Sequence, residues 1–297
     1  MNAGPVNAGP VNGLNPGQSK AWVPSHITGF FAARREDGPL QSGSVGCGLC
    51  LSPGATTVVE SSPDIEDLEI ILNGSAAEAP VSRFVAERLA RGPVRVRTDL
   101  DMPSGSGFGA SGAGALGCAY ALNRHFDLAL TADQAASVAH EAEVVCRTGL
   151  GDVIAQNSGG MVLRLEAGAP GSGRIDRIPV PPLPVHCVVR GPISTREVLS
   201  NQSVMSAVNE FGRAALKDLL KRPTLKEFMR LSRRFTLQTG LASSWALDVI
   251  EAVEAEGGMA SMIMLGDAVY ALGAAEALQA FGPVYSTFIS QRGANLD

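Results

Sequence analysis

Thirteen residues, Met102-Pro103-Ser104-Gly105-Ser106-Gly107-Phe108-Gly109-Ala110-Ser111-Gly112-Ala113-Gly114, constrain this chain more than any other stretch. Five of them are glycine and three are serine. Upstream, residues 94–100 alternate apolar and polar side chains, the period of a half-buried strand. Downstream, an Ala-rich stretch through Cys118 and Leu122 reads as helix. Glycine admits positive φ and lacks the Cβ that blocks close backbone approach. A loop built this way turns its N–H groups inward, and the helix behind it adds partial positive charge. The context of strand, glycine loop and helix therefore predicts an anion cradle for phosphate. The competing reading is a tight turn that lets the helix pack closely.

The spacing narrows the kind of cradle. A Walker A loop ends in Gly-Lys-Ser/Thr, and no lysine occurs between Lys20 and Lys217. Gly107-Phe108-Gly109-Ala110-Ser111-Gly112 matches G-x-G-x-x-G, the pattern of dinucleotide sites. Such a site also needs an acidic residue closing a second strand about 20 residues on. Asp133 falls near that distance, yet Thr131-Ala132-Asp133-Gln134 reads as a helix start capped by Thr131. An oxidoreductase reading thus lacks its context.

A length of 297 residues suits two domains. Net charge is −5, which points to neither nucleic acid nor an anionic membrane as partner. No apolar run reaches the ~18 residues of a membrane helix, and a cytoplasmic location is expected. The five cysteines, Cys47, Cys50, Cys118, Cys146 and Cys187, suggest reduced thiols. Cys47-Gly48-Leu49-Cys50 lacks the further ligands of a zinc site, so buried strand thiols are expected there.

Residues 1–19 repeat Asn-Ala-Gly-Pro-Val and predict a disordered low-complexity tail. Short strands are expected at 43–51, 56–60 and 68–72, the last ending in the hairpin signal Asn73-Gly74. A helix is expected over 79–89, a second over 131–147, a loop over 148–153 and a strand over 161–165. Gly- and Pro-rich residues 167–184 mark a division. The N-terminal domain is placed at 20–175 and the C-terminal one at 176–297. The latter should hold strands at 185–189, 260–265 and 284–289. Its helices should begin near Ser194 and cover 201–220, 224–238, 244–256 and 268–281.

The full pattern P-x-G-x-G-x-G-x-S-G-A, carried by Pro103, Gly105, Gly107, Gly109, Ser111, Gly112 and Ala113, resembles the phosphate loop of the GHMP kinase superfamily. Ala21-Trp22-Val23-Pro24-Ser25-His26-Ile27-Thr28-Gly29-Phe30-Phe31 resembles its first motif, with His26 near the usual basic residue and Phe where many members carry Glu-His. Residues 257–271 stand where the third, glycine-bearing motif belongs. The wording of these segments, with Thr148-Gly149-Leu150-Gly151-Asp152-Val153, looks most like the archaeal pantoate-phosphorylating branch. The resemblance implies an α+β, two-domain fold. Its N-terminal domain would resemble ribosomal protein S5 domain 2 and its C-terminal domain a ferredoxin. It implies an alcohol-accepting phosphotransferase using ATP and Mg²⁺ in coenzyme A biosynthesis, with pantoate as substrate. Mevalonate- or homoserine-like substrates, or a non-catalytic ligand-binding regulator, are the alternatives. A homodimer is left open as the oligomeric state.

Phosphoryl transfer needs a nucleotide cradle, a metal and a group that orients or deprotonates the attacking hydroxyl. Residues 103–113, Ser106, Phe108 and Ala110 included, are the expected nucleotide-binding loop. Ser111 matches the superfamily serine that reaches Mg²⁺ or phosphate, although a serine here could also cap the helix. Glu141 and Glu143 are candidate metal ligands on different helix faces. Glu143 is preferred because it follows alanine and lies nearer the next loop. Asp152 matches the superfamily's catalytic aspartate; an Asx turn is its structural alternative. Pantoate carries a carboxylate, which an arginine fork suits best. Arg164 is the first candidate, followed by Arg147 and His26.

Overall fold

The structure, a computed structural model, describes residues 17–297 apart from the side chains of Arg196 and Leu199. The expected tail falls largely outside this range. Its last residues do not, because Gln18 and Ser19 open the first strand by pairing with Glu60 and Val59.

Two long strands, β1 (Gln18–Arg34) and β2 (Gly43–Glu60), form an antiparallel hairpin at the centre of an eight-stranded sheet. β2 is continuous where two short strands were expected. Its Pro53 and Gly54 do not end it, since pairing with β1 resumes at Pro24↔Gly54 after a register shift. The sheet then takes in β3 (Glu69–Leu72), β4 (Ser75–Ala76) and β5 (Arg95–Leu100). β3 and β5 run parallel, joined through α1 (Pro80–Leu89). Behind this sheet pack α2 (Ala110–His125) and α3 (Ala132–Cys146). The expected Thr131 cap is present, as a full capping box with Gln134.

A short helix, α4 (Asp152–Ser158), leads into β6 (Met161–Glu166), which pairs with β2 at Gly46↔Arg164. Helix therefore begins at Asp152, inside the expected loop. β7 (Arg174–Ile178) pairs with β6 and crosses the expected division at 175/176. Its Arg-Ile-Asp-Arg-Ile run breaks the period of two at Arg177 and is flanked by glycines and prolines, so no strand signal marks it.

The second sheet has the order β11-β8-β10-β9, formed by β8 (Pro184–Pro192), β9 (Met259–Met262), β10 (Gly266–Leu272) and β11 (Val284–Phe288). Between β8 and β9 lie α5 (Thr195–Ser200), α6 (Gln202–Lys221), α7 (Leu225–Thr239) and α8 (Ser244–Ala255). The helix expected over 268–281 is corrected: Gly266–Leu272 is strand, and only α9 (Ala275–Leu278) with one 3-10 turn follows. β10 sits between two partners and is buried almost throughout, so its run of apolar residues has no strand alternation to reveal it. A last strand, β12 (Asn295–Leu296), returns to pair with β1.

The apolar core links both sheets. Ile27, Phe30 and Phe31 of β1 pack with Leu49, Leu163, Phe228, Phe235 and Tyr270 in one buried cluster. α6 and α7 thus cover the face of β1 opposite α2, which leaves β1 buried on both sides. A second cluster seals α1, α2 and α3 against the sheet, and a third joins α8 to the smaller sheet.

Candidate active site

The glycine run leaves β5 and crosses the middle of β1, where Phe108 O accepts from the His26 N–H at 3.0 Å, before α2 begins. Gly105, Gly107 and Gly109 all have positive φ, at 75°, 84° and 65°, which explains glycine at these alternate positions. Two neighbours hold the loop. The turn between β9 and β10 packs so closely that a Cβ on Gly266 would overlap the Ser106 carbonyl. The residue ahead of α5, Ile193, donates its N–H to Gly105 O at 3.3 Å. No side chain caps α2, whose Ncap is Gly109. The first-turn amides of α2 are therefore left for an anion.

Ser111 does not cap the helix. Its hydroxyl donates to Glu143 Oε1 at 2.6 Å, and the Thr148 hydroxyl donates to the same oxygen at 2.7 Å. Glu143 is buried, and among the described residues it makes no ion pair. Burial, then the nearby Asp152 charge, raises its carboxyl to about 7 against the opposing bonds from Ser111 and Thr148. Glu141 stands on another face of α3 and is half-buried. The structure thus brings Glu143, and not Glu141, to Ser111.

Asp152 opens α4 beside them. A Cβ on Gly149 would overlap Glu143 Oε2 and stand 3.3 Å from Asp152 Oδ2, so the bare backbone of Gly149 separates two carboxylates. Asp152 Oδ1 lies 2.7 Å from His26 Nδ1. Burial pushes the Asp152 carboxyl up, but the His26 hydrogen bond and the charges of His26 and Arg164 outweigh it and hold it below its ordinary value. The Arg164 side chain lies under the same turn, 2.7 Å through Nε from where a Gly151 Cβ would stand. Arg164 is 1 % exposed, yet among the described residues Nε and Nη1 have no partner, and Nη2 reaches only Thr28 Oγ1, at 3.5 Å. A buried guanidinium with idle donors is costly unless a ligand takes them.

These groups wall one cleft of about 360 Å³. Ser111, Asp152, Arg147 and Arg164 line it, with Gly105, Gly107, Phe108, Gly109 and Ala110 of the loop. Phe108 contributes backbone, since its ring belongs to the core. Pro103, Ser106, Gly112 and Ala113 do not reach the wall; Ser106, Gly112 and Ala113 are buried behind it. Glu143 stands just behind Ser111. His26 is corrected as a substrate contact: it is wholly buried beneath Asp152. Arg147 stands exposed at the rim in a left-handed backbone conformation (φ 59°) at the end of α3.

Sequence reasoning missed Thr28, Ser44, Thr148 and Gln156. Gln156 follows Asp152 by one helical turn and donates Nε2–H to Gly109 O at 3.0 Å, tying α4 to the loop. Its i+4 spacing from Asp152 was the available signal. Thr28 and Ser44 carried none, because only the sheet brings them to Arg164 and Gly151.

Hard oxygen donors and an unpaired buried carboxylate suit Mg²⁺ in the Ser111–Glu143 corner, with ligands left over for phosphate and water. Among the described residues no cluster of three or more His, Cys, Asp or Glu forms an all-protein metal site.

Comparisons with known proteins follow the same lines. Residues 76–160 match the GHMP kinases N terminal domain. The chain is 38% identical over 263 residues to a pantoate kinase of Thermococcus kodakarensis, covering 85% of this chain and 87% of that one. It is 34% identical over 280 residues to a pantoate kinase of Methanospirillum hungatei, covering 92% and 94%. A solved structure described as a phosphotransferase related to the coenzyme A biosynthesis pathway superposes with a TM-score of 0.86. It is 33% identical and covers 94% of this chain and 98% of that one.

Proposed function

This chain belongs to the GHMP kinase family, and we propose that its cleft transfers the γ-phosphoryl group of ATP to the 4-hydroxyl of pantoate, as its pantoate kinase relatives are named for doing. The observation that carries the choice of a carboxylate-bearing substrate is Arg164, charged, buried and with two idle donors beside Asp152. A substrate carboxylate set against the Nη1–Nη2 edge of the guanidinium gives this buried charge its counter-ion, and it leaves the far end of the substrate at Asp152.

The loop amides and the uncapped start of α2 hold the ATP phosphates. Ser111 Oγ and Glu143 would hold Mg²⁺, which would supply neutralisation of charge on the phosphoryl group in flight. Binding a cation there would require Glu143 to be ionised, which burial and the Asp152 charge oppose. Asp152 is ionised at neutral pH. Its Oδ1 is engaged by His26, so Oδ2 receives the hydroxyl proton as the new O–P bond forms and the bond to ADP breaks. The products are 4-phosphopantoate and ADP, and the reaction serves coenzyme A synthesis in the cytoplasm.

Coupled detection of ADP release with pantoate, mevalonate, homoserine and galactose tests the reading. Pantoate should give the highest kcat/KM by a wide margin. A preference for any uncharged alcohol would remove the role given to Arg164.

A further inference from the structure

One residue touches both halves of this machinery. His26 lies in β1 between register shifts at Pro24/Ser25 and Thr28/Phe30, which turn the strand locally. Its backbone N–H donates to the Phe108 carbonyl of the phosphate loop at 3.0 Å. Its side chain meets Asp152 Oδ1 through Nδ1 at 2.7 Å. The ring fills space that Gly48 leaves open, since a Cβ there would overlap Nε2. The remaining nitrogen, Nε2, is buried and has no partner.

We propose that His26 is the positioning residue of the transfer, a neutral donor whose Nδ1–H fixes Asp152 against the phosphate loop. This rests on the reading of Asp152 as acceptor of the substrate proton. An imidazolium would leave a second N–H buried and unpaired at Nε2, a penalty a neutral ring avoids. Burial pushes the His26 pKa down, and the Arg164 charge adds to that against the pull of Asp152. The proton therefore sits on Nδ1, and Nε2 keeps a lone pair. With no solvent at Nε2, His26 cannot pass a proton outward. Its action is to occupy Oδ1, leaving Oδ2 on the Gly149 side to meet the acceptor hydroxyl.

The groups facing Asp152 are His26 from β1, Arg164 from β6, Glu143 from α3 across Gly149, and the Cys50 thiol of β2. Substitution at His26 leaves the other three in place. A movement of the acid limb of the kcat profile at saturating metal–nucleotide, where a bound cation would keep Glu143 ionised, therefore reports the His26 bond.

Four variants test the proposal: His26→Phe, His26→Asn, His26→Gln and Asp152→Asn, each measured for melting temperature, kcat, both KM values and the acid limb. The Asn amide nitrogen stands near the Nδ1 position, whereas Gln reaches past it toward Nε2. His26→Phe should lower kcat about 10- to 100-fold with KM values little changed, because small displacements of a reacting group are costly. Its acid limb should move to higher pH as Asp152 loses a bond that stabilises its charge. His26→Asn should recover most of kcat and return the limb, and His26→Gln should not. If His26→Phe does not fold, the Asn and Gln pair decides alone. Equal kcat in Asn and Gln, or a wild-type kcat and limb in Phe beside an inactive Asp152→Asn, overturns the proposal and leaves His26 as packing. Full activity in Asp152→Asn removes the proton-acceptor reading first, and the proposal with it.

Discussion

Replacing Arg164 by methionine should damage catalysis while leaving the fold as stable or more so. Methionine approximates the buried volume and removes the charge. Arg164 is 1 % exposed, and among the described residues Nε and Nη1 are unpartnered and its one hydrogen bond is the 3.5 Å contact with Thr28. Burial pulls its pKa down, which means that folding the charged form costs free energy. Removing an unpaired buried charge is commonly neutral or stabilising, so Tm should hold or rise. Binding moves the other way. A carboxylate fork makes two charge-assisted bonds of about 1.5–3 kcal/mol each. Water entering the space recovers part, leaving a loss of about 3–4 kcal/mol, or about 10²- to 10³-fold in kcat/KM for pantoate. KM for ATP should barely change. Arg164→Lys should recover part of the loss, because an ammonium restores charge without the fork. Pantoyl amide, lacking the charge, should be discriminated against by the wild type and much less by Arg164→Met. Coupled ADP release for both substrates and both enzymes, with thermal melts, gives every quantity. Equal discrimination by the two enzymes, or a change confined to ATP, would refute the assignment and turn attention to Arg147.

Ser111→Ala and Glu143→Gln should each lower kcat/KM for metal–nucleotide by several kcal/mol of transition-state stabilisation, whereas Glu141→Gln stays close to wild type in the same assay. Greater damage from Glu141→Gln would displace Glu143 from the metal corner. Gly149→Ala should drive the new Cβ into Glu143 Oε2, costing about 1–3 kcal/mol of stability in denaturant melts together with most of the turnover. The Glu143 carboxyl, raised to about 7 from 4.5, gives a pH signature in the nucleotide-free protein. The folded state holds a proton that the unfolded chain gives up, so this stabilisation is full below pH 4.5 and lost as pH rises through 7. The Tm of wild type should therefore fall relative to Glu143→Gln across that window, and parallel curves would contradict the buried carboxyl.

Local chemistry was readable without the fold. The glycine spacing of residues 105–109 pointed to positive φ, the 131–134 signal to a cap, and Asp152 stood in a glycine-bearing turn. Those features depend on residues near in sequence, where steric limits and hydrogen bonds act at short range. Helices with one apolar stripe, such as α6 and α7, were equally legible. β10 was not, because a strand buried on both faces loses its period of two and resembles a helix interior. β7 was hidden because Asp176 and Arg177 break its alternation and glycines and prolines flank it.

The sequence by itself determined the phosphate loop, most of the secondary structure and the residue types of the site. Only the tertiary structure decided which of them meet. His26 and Asp152 are 126 positions apart, and Arg164 reaches Thr28 across 136. Strand pairing through β1, β2 and β6 brings these residues together, and no local pattern encodes that pairing. The structure also placed the His26 ring beneath Asp152 and away from the cleft wall, since burial depends on what α6, α7 and the loop lay over β1. Charge state followed from the same cause: burial and the Asp152 charge push the Glu143 carboxyl up, while His26 and Arg164 beneath Asp152 hold its carboxyl down against burial.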